Sequence, residues 1–492
     1  VIWGHCQVMQ NLETVRGFFI TIGIETHVQL KTNTKLFSAS ANDAREAPAN
    51  TLINHVDLGL PGALPVLNEA AIELATRMAI ALGSQPELYS RFDRKHYFYP
   101  DLPLGYQITQ FYSPIIKCGE VRFFVGEVQK VVRIQEAHLE ADAGKSSHPS
   151  GRNYSLVDFN RAGTPLLEIV SKPEIHSPAE AKAYAQELQL LVRYADVSDA
   201  SLFYGNMRFD VNVSVSKDIK KLGTRTETKN LNSFRSVEKA SEFEAIRQIE
   251  LLEKGEKVVQ ETRGWDESKQ KTFSQRGKEE AHDYRYMPDP DLPPVVLKKS
   301  YINKIRSKID MLPNDYRSLF QEIGLERKLS ELLISQMTNA HFIKDIYEAS
   351  DNKIALQVSK WLINVTPEAV NNEMQIAMTV DSAIKLSRMV ENGKLSSTAA
   401  KEIWLEIFKH GGDPEDIAVK RNLIQLSDAD EMEKIVHQVL DDNSKAVNDI
   451  KKGEMKAIGF LVGQVMKLSN GKANPALIQE LLKKKLGISQ LS

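Results

Sequence analysis

The sequence predicts an α+β protein: a mainly antiparallel-sheet cradle domain, then an all-α helical domain and an all-α tail. Three observations predict this. Several segments in the first part of the chain alternate apolar and polar side chains with the period of a half-buried strand. Their polar parity is too regular for a doubly covered parallel sheet, whose strands read as near-continuous apolar runs. Beyond Pro294 proline becomes rare and apolar residues take helical spacing.

The first strand spans Phe18 to Leu30. Ile20, Ile22, Ile24, Val28 and Leu30 take one parity, and Thr21, Gly23, Glu25, His27 and Gln29 take the other. A carboxylate and an imidazole two residues apart on a strand can share one cation. A helix follows, with Asn68 as N-cap and Gly83 past its end. In Val132 to Asp142, Glu136, His138, Glu140 and Asp142 alternate with Ala137, Leu139 and Ala141. Ser177, Pro178, Ala179 and Glu180 form a capping box with Pro at the first helical position. Arg208, Asp210, Asn212 and Ser214 then alternate with Phe209, Val211, Val213 and Val215, and Arg225, Glu227 and Lys229 with Thr224, Thr226 and Thr228. Gly255 to His282 is polar and charged, and the Pro-rich stretch from Met287 to Pro294 reads as an extended exit.

Helical spacing then takes over at Leu329, Leu332, Leu333 and Met337, at Ile384, Leu386, Met389 and Val390, and at Ile435, Val436, Val439 and Leu440. Gly411-Gly412-Asp413-Pro414 breaks this half in two. In the last part Ile458, Leu461, Val462 and Val465 share a helix face, Gly459 and Gly463 are expected to permit close backbone approach, and Asn474 and Pro475 open a final helix. The domain reading is residues 1–16 as an extension, 17–296 as the cradle, 297–412 as the helical domain and 413–492 as the tail. Val1 as first residue, with Met9 downstream, predicts that residues 1–8 are an upstream extension.

Composition narrows the function classes. Two cysteines, Cys6 and Cys118, cannot build a disulfide framework or a four-thiolate zinc site. No apolar run has the length of a membrane span, and no basic segment with an apolar core opens the chain. A net charge of −2 argues against a surface that coats nucleic acid. The charge is uneven, however: residues 451–485 carry eight Lys against two Glu, which suits phosphate contacts or a solvated face. Walker-type and dinucleotide-binding glycine motifs are absent, as is the Gly-Gly-Ser-Ser-Gly-Gly run of amidases, so the sequence shows no means of generating ammonia.

Four blocks mix turn formers with Arg, Lys, Asp and Tyr: Asp57–Asn68, Phe92–Ile108, Asn160–Val170 and Asp283–Pro290. Together they would line a site with cations for phosphate and carboxylates for metal. These blocks, with Ile22-Gly23-Ile24-Glu25-Thr26-His27, His138 to Lys145 and Lys229-Asn230-Leu231-Asn232-Ser233, closely resemble the B subunit of the aspartyl/glutamyl-tRNA amidotransferases over residues 17–492. Gly459 to Lys467 is similar to that family's tail domain, itself similar to the small YqeY proteins.

The resemblance implies an ATP- and Mg²⁺-dependent ligase. Its substrate would be mischarged Glu-tRNA(Gln) or Asp-tRNA(Asn), whose side-chain carboxylate is phosphorylated and then amidated by ammonia. Glutamine would be the amido donor, hydrolysed by the amidase, or A, subunit, with the small C subunit completing a heterotrimer. Carried over by motif, Glu25, His27, Glu140, Glu168 and Asp210 would hold metal; Glu25, His27, Glu140 and Glu168 would be catalytic; and Arg94, Lys95, Lys229 and Arg285 would meet the phosphates. Imidazole is an unusual ligand for Mg²⁺, so His27 could act through water or orient substrate or ammonia. The tail would contact tRNA. Many members have Glu where this chain has Ala141, which by parity faces away from Glu140. Some members hold zinc with two cysteine pairs; the matching residues here are Ser38, Ser40, Asn54 and Asp57, poor zinc ligands, so no zinc is expected. Two rivals remain: an RNA-binding scaffold, which requires a basic sheet face, and a metal-dependent hydrolase using the same carboxylates. Bacterial cytoplasm is the expected location, with the mitochondrial matrix as the alternative and no membrane association.

Overall fold

The computed structural model describes residues 14–149, 151–277, 283–367, 376–425, 429–451, 454–469 and 475–488. The domain reading of residues 1–8, Asn474 and the last part of the charged segment, 278–282, lies outside them. The chain divides into two compact units, Val1–Leu312 and Pro313–Ser492.

In the first unit the strands and helices follow in the order β1 (Phe19–Gln29), α1 (Glu69–Ala81), β2 (Tyr89–Ser90), β3 (Asp93–His96), β4 (Tyr106–Thr109), β5 (Gly119–Val125), β6 (Val128–Ala141), β7 (Lys145–Ser147), β8 (Leu156–Asp158) and β9 (Pro165–Ser171). They continue with α2 (Pro178–Tyr194), β10 (Met207–Ser216), β11 (Thr226–Leu231), α3 (Phe234–Glu253), β12 (Glu261–Asp266), β13 (Lys271–Gly277), β14 (Met287–Pro288), β15 (Val295–Val296) and α4 (Lys299–Arg306). Eight strands form one sheet in the order β13-β12-β11-β10-β1-β9-β6-β5. Every pairing in it is antiparallel except β11 with β12.

The alternation read from β1 is present residue by residue: Ile20, Ile22, Ile24 and Val28 are buried, while Thr21, Gly23, Glu25 and His27 are partly exposed. Apolar parity faces a core shared with Met78 of α1, Leu188 and Tyr184 of α2, and Val237 and Ala245 of α3. Burial of these side chains supplies the main driving force for the unit. The helices start where the capping residues place them. Asn68 accepts from the Ala70 N–H, and Ser177 accepts from the Glu180 N–H at 3.1 Å. Glu180 reaches back to the N–H of His176 rather than that of Ser177, a capping box displaced by one residue.

One strand departs from simple parity. Val132 and Ile134 share number parity with Glu136 and His138, yet they are buried with the core while Glu136 and His138 stand on the other face. A register shift between Ile134 and Glu136 accounts for this, because the extra residue of a bulge turns the following side chains over. The small sheet β14-β3-β4 is tied to the large one by Gln107, which donates to the Ala141 carbonyl. Helix α4, placed by sequence with the helical domain, belongs to the first unit, because its Ile302 and Ile305 are buried and Lys308 just beyond it pairs with Glu73 of α1.

The second unit is helical, from Pro313–Glu322 to Pro475–Lys485. Near its end a separate small core joins Met432, Val436 and Val439 with Ile458, Leu461, Val465, Ile478 and Leu482. The spacing of Val436, Val439, Ile458, Leu461 and Val465 was legible; the role expected for the glycines was not. A Cβ added at Gly459 or Gly463 would meet nothing within 4 Å, so both lie on the open face of their helix instead of permitting close packing. No described helix is long and apolar enough to cross a membrane.

Candidate active site

The polar face of the large sheet gathers chemistry by register. His27 of β1 stands opposite Glu168 of β9, which stands opposite His138 of β6. Both imidazole Nε2 atoms lie 3.4 Å from Glu168 Oε2. Glu140, one residue pair along β6, reaches His27 at 3.8 Å and His138 at 3.9 Å. In the neighbouring row Glu25 stands opposite Asp210 of β10. Lys229 of β11 binds Asp210 at 3.4 Å and Glu227 at 3.3 Å.

This crowding sets the electrostatics. Burial alone would push Glu168 up, but charge and hydrogen bonding from His138 and His27 hold it well below the usual carboxylate range. The imidazoles respond in the opposite sense. Burial pulls His27 down, and Glu168, with Asp210 and Glu140, overrides it and raises the ring to about 9. His138 is raised through the same carboxylates, again against burial. Glu140 has burial and the Glu168 charge against its ionisation and moves up, as does Glu25 for the same two reasons. Desolvation would lower Lys229, and Asp210, Glu227 and Glu25 raise it instead.

The residues fit a bound cation. His27, Glu140 and Glu168 each offer one ligand atom, and these atoms lie within 4.8 Å of one another. His138 Nδ1 is buried without a hydrogen-bond partner, its nearest carboxylate being Glu136 at 4.0 Å. A mixed N,O donor set with two carboxylates suits a divalent ion, Mg²⁺ taking the oxygens most readily.

Of the residues singled out from sequence, the fold brings His27, Glu140 and Glu168 together. Glu25 stands beside them, accepting from Asn212 at 2.9 Å, and Asp210 is occupied by the Asn230 N–H at 2.8 Å and by Lys229. The four cations separate. Lys95 lies against the rings of Tyr284 and Tyr97, and its charge works against the rise of Glu140. Arg285 is exposed, at φ +44°, with Asp283 at 4.0 Å. Arg94 is committed elsewhere: its guanidinium binds Asp289 and Asp291, each at 2.8 Å, over the Tyr106 ring at 4.3 Å. It fastens β3 to the chain after β14, which is a positioning contact. His138, Glu136, Glu227 and Tyr97 belong to the site and were not singled out. Strand parity already put His138 and Glu136 with Glu140, and Glu227 with Lys229. Tyr97 is pushed up by burial and by the charges of Glu140 and Asp142.

A cavity of about 730 Å³ is lined by Lys95, Tyr97, Tyr99, Tyr284 and Arg285 among others, and Lys95 stands opposite Gln107, which donates to the Ala141 carbonyl next to Glu140. The positions matching the cysteine pairs also converge. Ser38 and Ser40 donate to the two oxygens of Asp57 at 2.7 and 2.6 Å, the Asn54 N–H adds a third bond at 3.0 Å, and buried Lys35 sits 3.4 Å away.

An acid and imidazole cluster held in register on one face of a sheet, with a cation-bearing cavity on the adjoining small sheet, is the arrangement of an enzyme. Comparison with known proteins says of which kind. Residues 20–303 match the GatB/GatE catalytic domain and residues 341–486 the GatB domain. The chain is 42% identical over 481 residues to the B subunit of the aspartyl/glutamyl-tRNA(Asn/Gln) amidotransferase of Carboxydothermus hydrogenoformans, covering 96% of this chain and 99% of the relative. It is 43% identical over 480 residues to the protein of the same name from Halalkalibacterium halodurans, covering 96% and 98%. For that of Bdellovibrio bacteriovorus the figures are 44% over 481 residues, 96% and 99%. The chain belongs to the GatB family of amidotransferase subunits.

Proposed function

We propose that this chain amidates the side-chain carboxylate of glutamate on tRNA(Gln), of aspartate on tRNA(Asn), or of both, in two steps. A carboxylate oxygen of the substrate attacks the terminal phosphorus of ATP and ADP leaves; ammonia then attacks the acyl carbon, phosphate leaves, and the surplus proton passes to a base. The observation that carries this reading is the row His27–Glu168–His138 with Glu140 beside it, and Lys95 on the adjoining small sheet, opposite Gln107, whose amide donates to the carbonyl of Ala141 next to Glu140.

Phosphoryl transfer is mostly positioning and charge neutralisation. Glu140 and Glu168, with His27 directly or through water and with Glu25 and Asp210 nearby, would hold Mg²⁺, which when bound neutralises phosphate charge. Lys95 and Lys229 add fixed positive charge on either side, and Arg285 stands at the cavity rim. Glu25 accepts from Asn212 and is raised by burial and by Glu168, so it suits the proton transfer that frees ammonia for attack. An RNA scaffold would need a basic sheet face, whereas this one carries Glu25, Glu136, Glu140, Glu168, Asp210 and Glu227.

The ammonia would come from glutamine hydrolysed by a separate amidase, the A subunit, joined through a small C subunit, in the cytoplasm. The basic stretch of the tail would contact tRNA. Zinc is not part of the proposal, because Asp57 already takes the hydroxyls of Ser38 and Ser40. The test is amidation by the assembled enzyme. ATP consumption dependent on mischarged tRNA, lost in Glu140→Gln with the partner's glutaminase retained, is the expected result. Release of the amino acid from its tRNA without ATP would instead make the chain a metal-dependent hydrolase.

A further inference from the structure

Aromatic rings are gathered on one side of the small sheet in a way core packing does not require. Tyr112 meets Phe111 with centroids 5.0 Å apart, and Phe111 stacks on Tyr286 at 3.8 Å. Tyr286 meets Tyr284 at 6.0 Å, Tyr284 meets Tyr97 at 6.2 Å, and Tyr97 meets Tyr99 at 5.9 Å. The run is therefore continuous, yet none of the six is buried, and Tyr99, Phe111 and Tyr112 are 50–53% exposed. Exposed aromatic area of this extent marks a binding surface.

Cations sit against it. Arg91 lies 5.8 Å from the Tyr112 ring centre, and Lys95 lies 5.1 Å from that of Tyr284 and 5.9 Å from that of Tyr97. The surface is held rigid from below. Arg94 clamps Asp289 and Asp291, and His96 binds the carbonyls of Tyr284 and Arg285 through its N–H and its Nδ1 at 2.8 and 3.0 Å. Arg285, between the two tyrosines, takes a left-handed φ of +44°, a conformation that costs a non-glycine residue free energy and is kept where the surroundings enforce it.

We propose that these six rings form a stacking platform for the unpaired 3′ end of the aminoacyl-tRNA, seating successive bases so that the esterified amino acid falls on the Glu140 and Glu168 face. The proposal rests on the tRNA-dependent reading above. Base-on-ring stacking with interleaved cations is how single strands are held without sequence readout. The extent of the run selects a polymer over a mononucleotide. Tyr97, Tyr99 and Tyr284 line the cavity, whereas Phe111, Tyr112 and Tyr286 carry the rings beyond its lining, farther than the base of ATP needs.

The experiment uses the full chain assembled with its partner subunits. Affinity is measured for tRNA with its 3′ end intact and for the same tRNA trimmed of its unpaired 3′ nucleotides. Phe111→Leu and Tyr284→Leu should each weaken binding of intact tRNA by roughly tenfold, leave trimmed tRNA unaffected and leave the KM for ATP within about twofold. Tyr284→Phe, which keeps the ring, should bind as the parent does. A tRNA carrying 2-aminopurine as its terminal base gives a second readout on the unaltered protein: its fluorescence should be quenched on binding. A raised KM for ATP with unchanged tRNA affinity would make the rings an adenine pocket and overturn the platform, as would an unquenched 2-aminopurine. Wild-type enzyme that binds tRNA in this way but never amidates it would sink the proposed function and leave the platform standing.

Discussion

Two clusters of buried charge in the first unit follow opposite rules. At Lys35 and Asp57 one cation faces one anion, and each oxygen of Asp57 is also met by a serine hydroxyl. On the sheet face, Glu25, Glu140, Glu168 and Asp210 crowd together, two of them are pushed toward the neutral form, and His138 keeps a buried nitrogen unpartnered. The first cluster is electrically closed and serves the fold. The second crowds carboxylates whose burial and mutual repulsion oppose their ionisation, a cost that makes sense where a cationic or phosphate-bearing ligand completes it.

The largest expected effect tests the open cluster. Glu168→Gln removes the carboxylate that both histidines share. Amidation should fall by roughly a thousandfold, about 4 kcal/mol in the transition state, while the midpoint of chemical unfolding moves little, since both imidazoles can discharge once Glu168 is gone. Near-normal turnover would show that the row is structural. Lys35→Met tests the closed cluster and should do the reverse. Leaving Asp57 buried without its cation should cost about 3–5 kcal/mol of stability, read by urea unfolding, with catalysis intact in the molecules that fold. A loss under about 1 kcal/mol would mean that the hydroxyls alone satisfy Asp57.

A third buried carboxylate sharpens the contrast through pH. Glu244 of α3 is fully buried and accepts from Thr226 and, at 3.0 Å, from Arg247, with Arg263 2.9 Å away. Burial opposes its ionisation, and Arg247 and Thr272 together lower it below its ordinary value. A folded-state pKa below the unfolded one contributes stability that is present above the unfolded value, about 4.3, and is lost as pH falls through the folded one. Glu244→Gln should therefore lower stability near neutral pH by about 2 kcal/mol and flatten its acid dependence below about pH 5. Parallel pH curves for parent and variant would remove Glu244 from the acid response.

Much of this was legible in the chain, for identifiable reasons. Side-chain period is a local property, so Ile20 to Val28 and Phe209 to Val215 disclosed which face would carry Glu25, His27 and Asp210. Register is not local. That His27, Glu168 and His138 fall in one row depends on pairings across β1, β9 and β6, and no spacing in the sequence contains them. The bulge before Glu136 was hidden for the same reason, because counting parity backwards from His138 puts Ile134 on the wrong face. The clamp of Arg94 was hidden for the same reason, because its partner, Asp289, lies 195 residues away. Gly459 and Gly463 were misread because spacing shows that two glycines share a face but not whether that face meets a neighbour.

The smallest prediction returns to the closed cluster and asks whether its parts are separable. Ser40 donates to Asp57 Oδ2 at 2.6 Å, the oxygen that also takes the Asn54 N–H and lies 3.4 Å from Lys35, whereas Ser38, at 2.7 Å, is the one donor to Oδ1 among the described residues. Deleting Ser40 leaves its oxygen with two partners, while deleting Ser38 leaves Oδ1 without its hydroxyl donor in a side chain that is almost completely buried. An unmet buried acceptor costs more than a lost member of a satisfied set. Ser38→Ala should therefore destabilise by about 1.5–3 kcal/mol and Ser40→Ala by about 0.5–1 kcal/mol, both measured by urea unfolding with unchanged slope. Equal losses would mean that Asp57 redistributes its partners after either deletion, and that the cluster is held by its charge pair rather than by the geometry of its hydroxyls.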